Sequence, residues 1–110
     1  MGKSQRTKGH AWEREVARRF REIGFIEAKR GFQTRGGAAE CPDVHAGPFD
    51  IECKVGKRPP IRQALVTATE HARKGQIGIA VIKEDRKPPF VVIGLDDFLD
   101  LVEEWKQRGE

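Results

Sequence analysis

The chain has 110 residues, 37% of them hydrophobic and 35% charged, with a formal net charge of +4. That length can bury one hydrophobic core without disulfide or metal staples and leaves no room for a separate binding domain. No apolar run approaches the ~20 residues of a membrane span, and the basic, polar start lacks the apolar core of a secretory signal, so a soluble, intracellular protein is expected.

Met1 to Lys8 carries Lys3, Arg6 and Lys8 with no periodic apolar residues, and residues 1–8 read as a flexible basic arm ahead of a single domain over 9–110. From His10 to Gly24, Val16, Ala17, Phe20 and Ile23 recur at helical spacing. Glu13 lies on or beside that stripe, so its carboxylate either points inward or borders the core and reaches water. Glu15 falls on the opposite, solvated face, where Arg19 is its i,i+4 partner. Arg30 and Arg35 bound a loop with Gly31, Gly36 and Gly37, where permissive backbone and guanidinium groups can approach phosphates.

Residues 42–46 and 49–55 flank Gly47-Pro48, a turn signal between two strand-like runs. In the second run Phe49, Ile51, Cys53 and Val55 alternate with Asp50, Glu52 and Lys54, separating an apolar face from a charged one. A loop symmetric about Gly47-Pro48 places Asp43 opposite Glu52 and His45 opposite Asp50, whereas a one-residue slip sends Asp43 to the other face. Two carboxylates so close repel unless a proton or a cation lies between them. A hard cation with oxygen ligands, Mg²⁺ or Mn²⁺, resolves the repulsion. Asp50, near the turn, reads as solvated, and His45 either assists a proton or is simply exposed. Cys41 and Cys53 fall on opposite faces of the hairpin, which argues against a disulfide.

Pro59-Pro60 opens a helix whose Ile61, Ala64, Leu65, Ala68 and Ala72 form a narrow, small-residue stripe ending at Gly75. Gln63 reads as a surface residue, and no spacing makes a metal site of Glu70 and His71. Ile77 to Ile82 and Phe90 to Ile93 read as strands around a charged loop. Asp96 is a plausible N-cap for a last helix whose Phe98, Leu101, Val102 and Trp105 form core or, alternatively, a dimer contact. Charge is uneven: residues 1–35 hold 10 Lys or Arg and 4 acids. With a pI near 9.3, this is the footprint of a nucleic-acid binder.

The order Gly9-His10-Ala11-Trp12-Glu13-Arg14, Arg30, Gly36-Gly37, Pro42-Asp43 and Glu52-Cys53-Lys54 resembles the PD-(D/E)XK nuclease superfamily, and within it the small archaeal-type and phage-encoded Holliday junction resolvases. The resemblance spans about residues 8 to 102. It implies an α/β fold, a restriction-endonuclease-like αβββαβ core with a mixed central sheet flanked by helices. It also implies cleavage of branched DNA, four-way junctions, by a Mg²⁺-dependent homodimer (Mn²⁺ substituting) in the cytoplasm of a bacterial, archaeal or phage-infected host cell. Carried over by position, Glu13, Asp43, Glu52 and Lys54 are the catalytic set. Asp43, Glu52 and the backbone carbonyl of Cys53 are the metal ligands, and Lys8, Arg30, Arg35, Lys57 and Arg58 are the DNA contacts. Other PD-(D/E)XK endonucleases, restriction- or repair-like, and a non-catalytic DNA-binding module are the alternatives.

Overall fold

Period-two alternation in Phe49–Gly56 seeds the sheet around which the rest is built. The computed structural model describes residues 2–31 and 41–109. In chain order the elements are α1 (Gly2–Glu22), β1 (Lys29–Arg30), β2 (Val44–Ala46), β3 (Phe49–Gly56), α2 (Ile61–His71), β4 (Ile77–Glu84), β5 (Phe90–Val92) and α3 (Leu95–Arg108). The five strands form one mixed sheet in the order β1-β2-β3-β4-β5. β1, β2 and β3 are antiparallel neighbours, β4 runs parallel to β3 through the α2 crossover, and β5 returns antiparallel. The described residues therefore form an α/β fold with three helices.

The two faces of the sheet are covered differently. Toward α1, Trp12, Val16 and Ala17 pack with Val44, Ala46, Ile51, Cys53, Ile79 and Val81, and Trp12 Nε1 donates to the Val81 carbonyl at 3.3 Å. Toward α2, Ala64, Ala80 and Ile82 form a smaller cluster. The small stripe of α2 brings it close to the strands, as its composition implies: a Cβ on Gly78 would collide with the Ala68 carbonyl. The two cysteines form no disulfide with each other; Cys53 is buried and Cys41 partly so.

The hairpin register is the symmetric one, with Val44 opposite Ile51, His45 opposite Asp50 and Ala46 opposite Phe49. Gly47 turns the chain at φ 53°, a conformation that favours glycine. The Glu15–Arg19 pair is formed at 2.8 Å.

Four expectations are corrected. Residues 2–8, read as an arm, are the start of α1; once Trp12 and Val16 anchor a helix, extending it by further residues is far easier than nucleating one. α2 ends at His71, short of Ala72 and Gly75, and Ile61 is exposed. Gly94, not Asp96, is the N-cap of α3. The stripe of α3 is not core: no residue of that helix is buried and Trp105 is 76% exposed.

Candidate functional site

β3 sends Asp50, Glu52 and Lys54 to the face covered by α2, and β2 brings the segment carrying Asp43 alongside. Asp43 precedes the first paired residue of β2, and its position is fixed by its side chain: Oδ2 accepts the backbone N–H of Cys53 at 2.9 Å. The carboxylate thus takes the place of a strand carbonyl at the end of the ladder, next to Glu52. On the far side, the Gly31 N–H donates to the Asp43 carbonyl at 2.7 Å, tying the end of β1 to the same segment. Arg30, in β1, reaches Glu13 of α1, with Nε to Oε1 at 3.0 Å.

Asp43, in the loop before β2, therefore lies within electrostatic reach of both Glu13 of α1 and Glu52 of β3. All three carboxyls are pushed above their ordinary range, in each case chiefly by burial. The charge of Asp43 adds to the rise at both Glu13 and Glu52. Lys54 and His71 act against the rise at Glu52, but burial and Asp43 prevail. The Cys53 thiol is raised as well, by burial and then by the charges of Asp43, Glu13 and Glu52, so it stays protonated beside the cluster.

Glu52 carries the clearest sign of an unmet need. Its Oε2 lies 3.4 Å from Lys54 Nζ, while Oε1 is buried without a hydrogen-bond partner. His71 Nδ1 lies 3.9 Å from Oε1, and that atom is buried and unpartnered too. Buried polar atoms are satisfied in the great majority of cases, so two orphans facing each other are an exception that asks for a reason. His71 was missed in the sequence. It is three residues after Ala68 and seven after Ala64, the two buried residues of α2, so helical spacing does place it on the inward face.

Asp50 corrects the sequence reading. It is fully buried rather than solvated, and its Oδ2 accepts the backbone N–H and Nε of Arg73, both at 2.9 Å. Oδ1 accepts Arg73 Nη2 at 2.8 Å and Gln76 Nε2 at 3.2 Å, with His45 Nδ1 at 3.2 Å. Burial pushes this carboxyl up, but the bonds from Arg73, Gln76 and His45 outweigh it and hold it at about 2. His45 is accordingly part of a network and not a free surface histidine.

The basic residues divide into three groups. Arg30 stands at the site, on a pocket of about 170 Å³ lined also by Lys29, Cys41, His45 and Arg73. Lys8 pairs with Asp85 at 2.7 Å, and the Asp85 N–H bonds the Gly56 carbonyl, so Lys8 and the exposed Lys57 and Arg58 share the far end of β3. Arg35 lies outside the described residues, as do Gly36 and Gly37. Gln63 is on the surface, 3.4 Å from the Thr67 hydroxyl.

Among the described residues no group of three or more His, Cys, Asp or Glu side chains is arranged as a ready-made metal cage. The donor set nonetheless suits a hard cation that keeps much of its water. Mg²⁺ takes one or two carboxylates and completes its octahedron with water or substrate oxygens, and Asp43 with the unpartnered Oε1 of Glu52 offers that. No helix of the described residues is long and apolar enough to cross a membrane. No family model, curated protein or solved structure matches this chain.

Proposed function

We propose that the protein is a Mg²⁺-dependent DNA endonuclease of the PD-(D/E)XK kind, acting on four-way junctions. The observation that carries this reading is the buried Oε1 of Glu52, without a partner and beside a second raised carboxylate, Asp43. Its support is the agreement between that acid pair, Lys54 on the same strand face, and the inward Glu13. The order α1-β1-β2-β3-α2-β4 agrees with the αβββαβ core that the resemblance implies.

Asp43 and Glu52, with the Cys53 carbonyl, would hold the cation. When bound there, Mg²⁺ supplies Lewis-acid polarisation of a phosphoryl oxygen and a lowered pKa for water. Lys54 presents its ammonium beside Glu52, where it orients the attacking water or offsets the negative charge that grows on the phosphoryl group. Glu13 restrains the Arg30 guanidinium, which remains available to a neighbouring phosphate at the pocket mouth. Lys57 and Arg58, exposed beyond the end of β3, extend positive charge along the strand axis, and Lys8 adds to it if a phosphate displaces Asp85. Cutting both strands of a junction calls for two such sites, hence two copies of the chain.

The test is cleavage of an immobile four-way junction, a Y-fork, a linear duplex and a single strand, each with Mg²⁺ or EDTA, by the natural chain and Glu52→Ala. Paired nicks near the junction centre, lost in EDTA and in the variant, are expected. Equal cutting of duplex discards the junction preference while keeping the nuclease. Binding without cutting in Mg²⁺ or Mn²⁺ reduces the protein to a DNA-binding module.

A further inference from the structure

Two buried polar atoms without a hydrogen-bond partner, Glu52 Oε1 and His71 Nδ1, face each other at 3.9 Å. A hydrogen bond needs about 3 Å, so neither atom satisfies the other. Elsewhere on the same strand a buried acid is met closely, with Arg73 Nη2 at 2.8 Å from Asp50 Oδ1. The wider gap at Glu52 matches the span of two donors on one ion. With metal–nitrogen and metal–oxygen distances of about 2.1 Å, such donors lie about 3 Å apart at a right angle and about 4.2 Å apart when opposed.

The fold carries His71 to this position by backbone anchors on either side of it. Before it, the Ala68 carbonyl stands where a Cβ of Gly78 would be, and Gly78 is the ladder partner of Asp50. Beyond it, the Arg73 N–H and guanidinium bond Asp50. The last turn of α2 is thus pinned to β3 one pleat from Glu52, and the imidazole reaches the carboxylate without a bond of its own. Spacing within α2 gives His71 no metal-binding partner because that partner comes from the neighbouring strand.

The donor pair selects the ion. Mg²⁺ takes oxygen donors and keeps its water, so it uses Glu52 and leaves the imidazole aside. A carboxylate oxygen facing a neutral imidazole nitrogen suits a divalent transition ion, Zn²⁺ in particular. The charge of Asp43, which reaches Glu52, favours a dication there. We infer that Glu52 Oε1 and His71 Nδ1 form a mixed oxygen–nitrogen site for a divalent transition ion of the Zn²⁺ class, with its remaining positions left to water. The site rests on the reading of Glu52 as a cation ligand and adds His71 to it. Because one carboxylate oxygen serves both ions, Zn²⁺ competes with Mg²⁺ at Glu52.

The test is a Zn²⁺ titration of the full chain, followed by NMR of its ¹⁵N-labelled imidazoles at one fixed neutral pH. The chain has three histidines. One equivalent of Zn²⁺ is expected to shift a single Nδ1 resonance, the one missing in His71→Ala, while excess Mg²⁺ leaves it in place. By calorimetry, His71→Ala and Glu52→Gln are each expected to weaken Zn²⁺ binding by more than the about tenfold that loss of an outer partner costs. Unchanged circular dichroism confirms that both variants fold. No Zn²⁺ binding, a response confined to His10 or His45, or undiminished binding in Glu52→Gln overturns the site. A protein that cuts DNA with Mg²⁺ while His71 stays silent to Zn²⁺ keeps the nuclease reading and loses this site. A His71 response in a protein that cuts nothing does the reverse.

Discussion

Asp50 and Glu52 occupy the same strand, project from the same face and are both buried, yet their surroundings have opposite characters. Around Asp50 the protein supplies everything a carboxylate can ask for: a backbone N–H, a guanidinium and an amide. Around Glu52 it supplies one ammonium at 3.4 Å and leaves the other oxygen with no partner. The first arrangement ties β3 to the turn after α2 and contributes stability. The second works against stability in the isolated protein, which is what the proposed cation site accounts for. A single β-strand therefore carries a fully bonded acid and a half-bonded one a single pleat apart, and the difference is made largely by Arg73 and Gln76 arriving from beyond α2.

Substituting the two acids separates these roles. Glu52→Ala or Asp43→Ala is expected to lower Mg²⁺-dependent junction cleavage by about 10³-fold or more while junction binding in a gel-shift assay survives. Asp50→Asn, matched in size, is expected to cost less than about tenfold in the same assay. In urea denaturation the ranking inverts. Asp50→Ala strands the Arg73 N–H and Gln76 and is expected to lose about 3 kcal/mol, with no comparable loss in Glu52→Ala. His71→Ala removes the group facing Glu52 Oε1 and is expected to cost about 10-fold to 100-fold in cleavage, the scale of residues that orient a metal ligand. A smaller and more telling effect has the unusual sign: Glu52→Gln, measured by urea denaturation without divalent cation at neutral pH, is expected to raise stability rather than lower it.

The same contrast sets the pH dependence. Asp50 has a folded pKa of about 2, below the ~3.9 of an unfolded aspartate. Its contribution is thus present above pH 4 and disappears as pH falls toward 2. Glu13, Asp43 and Glu52 are raised, so the folded state holds their protons more firmly than the unfolded chain does. The cost of burying their charges, with the repulsion of Asp43 added at Glu13 and Glu52, is fully present above the folded pKa values and is relieved as pH drops through them. Urea midpoints without divalent cation should therefore hold or rise on mild acidification before falling near pH 4 and below. A monotonic fall from pH 7 contradicts the assignment of strain to the three acids.

Whether these features were readable in the sequence depended on distance along the chain. The Gly47-Pro48 loop and the alternation after it were enough for the register, and so for the adjacency of Asp43 and Glu52. Helical spacing placed Glu13 on or beside the inward stripe and left its carboxylate between core and border, and it sits partly buried at that border, paired with Arg30. Asp50 was misjudged because Arg73 and Gln76 reach it only after a crossover helix, and nothing local at residue 50 announces them. His71 was legible in part: reading the α2 stripe through Ala64, Ala68 and residue 71 rather than 72 brings it to the sheet. The pattern in α3 was read correctly as amphipathic, but amphipathicity reports only that one face avoids water and not whether the same chain covers it. Lys8 shows the converse limit, since its partner Asp85 is 77 positions away.

The most direct measurement is the thermal stability of the natural chain, Glu52→Gln and Asp50→Asn across a Mg²⁺ titration. A cation held by Asp43 and Glu52 stabilises the natural chain by about 2.7 kcal/mol at one hundred times its dissociation constant. The predicted result is that this increment persists in Asp50→Asn and vanishes in Glu52→Gln. An equal increment in all three proteins, or none in the natural chain with either Mg²⁺ or Mn²⁺, contradicts the claim that the open side of β3 is a cation site.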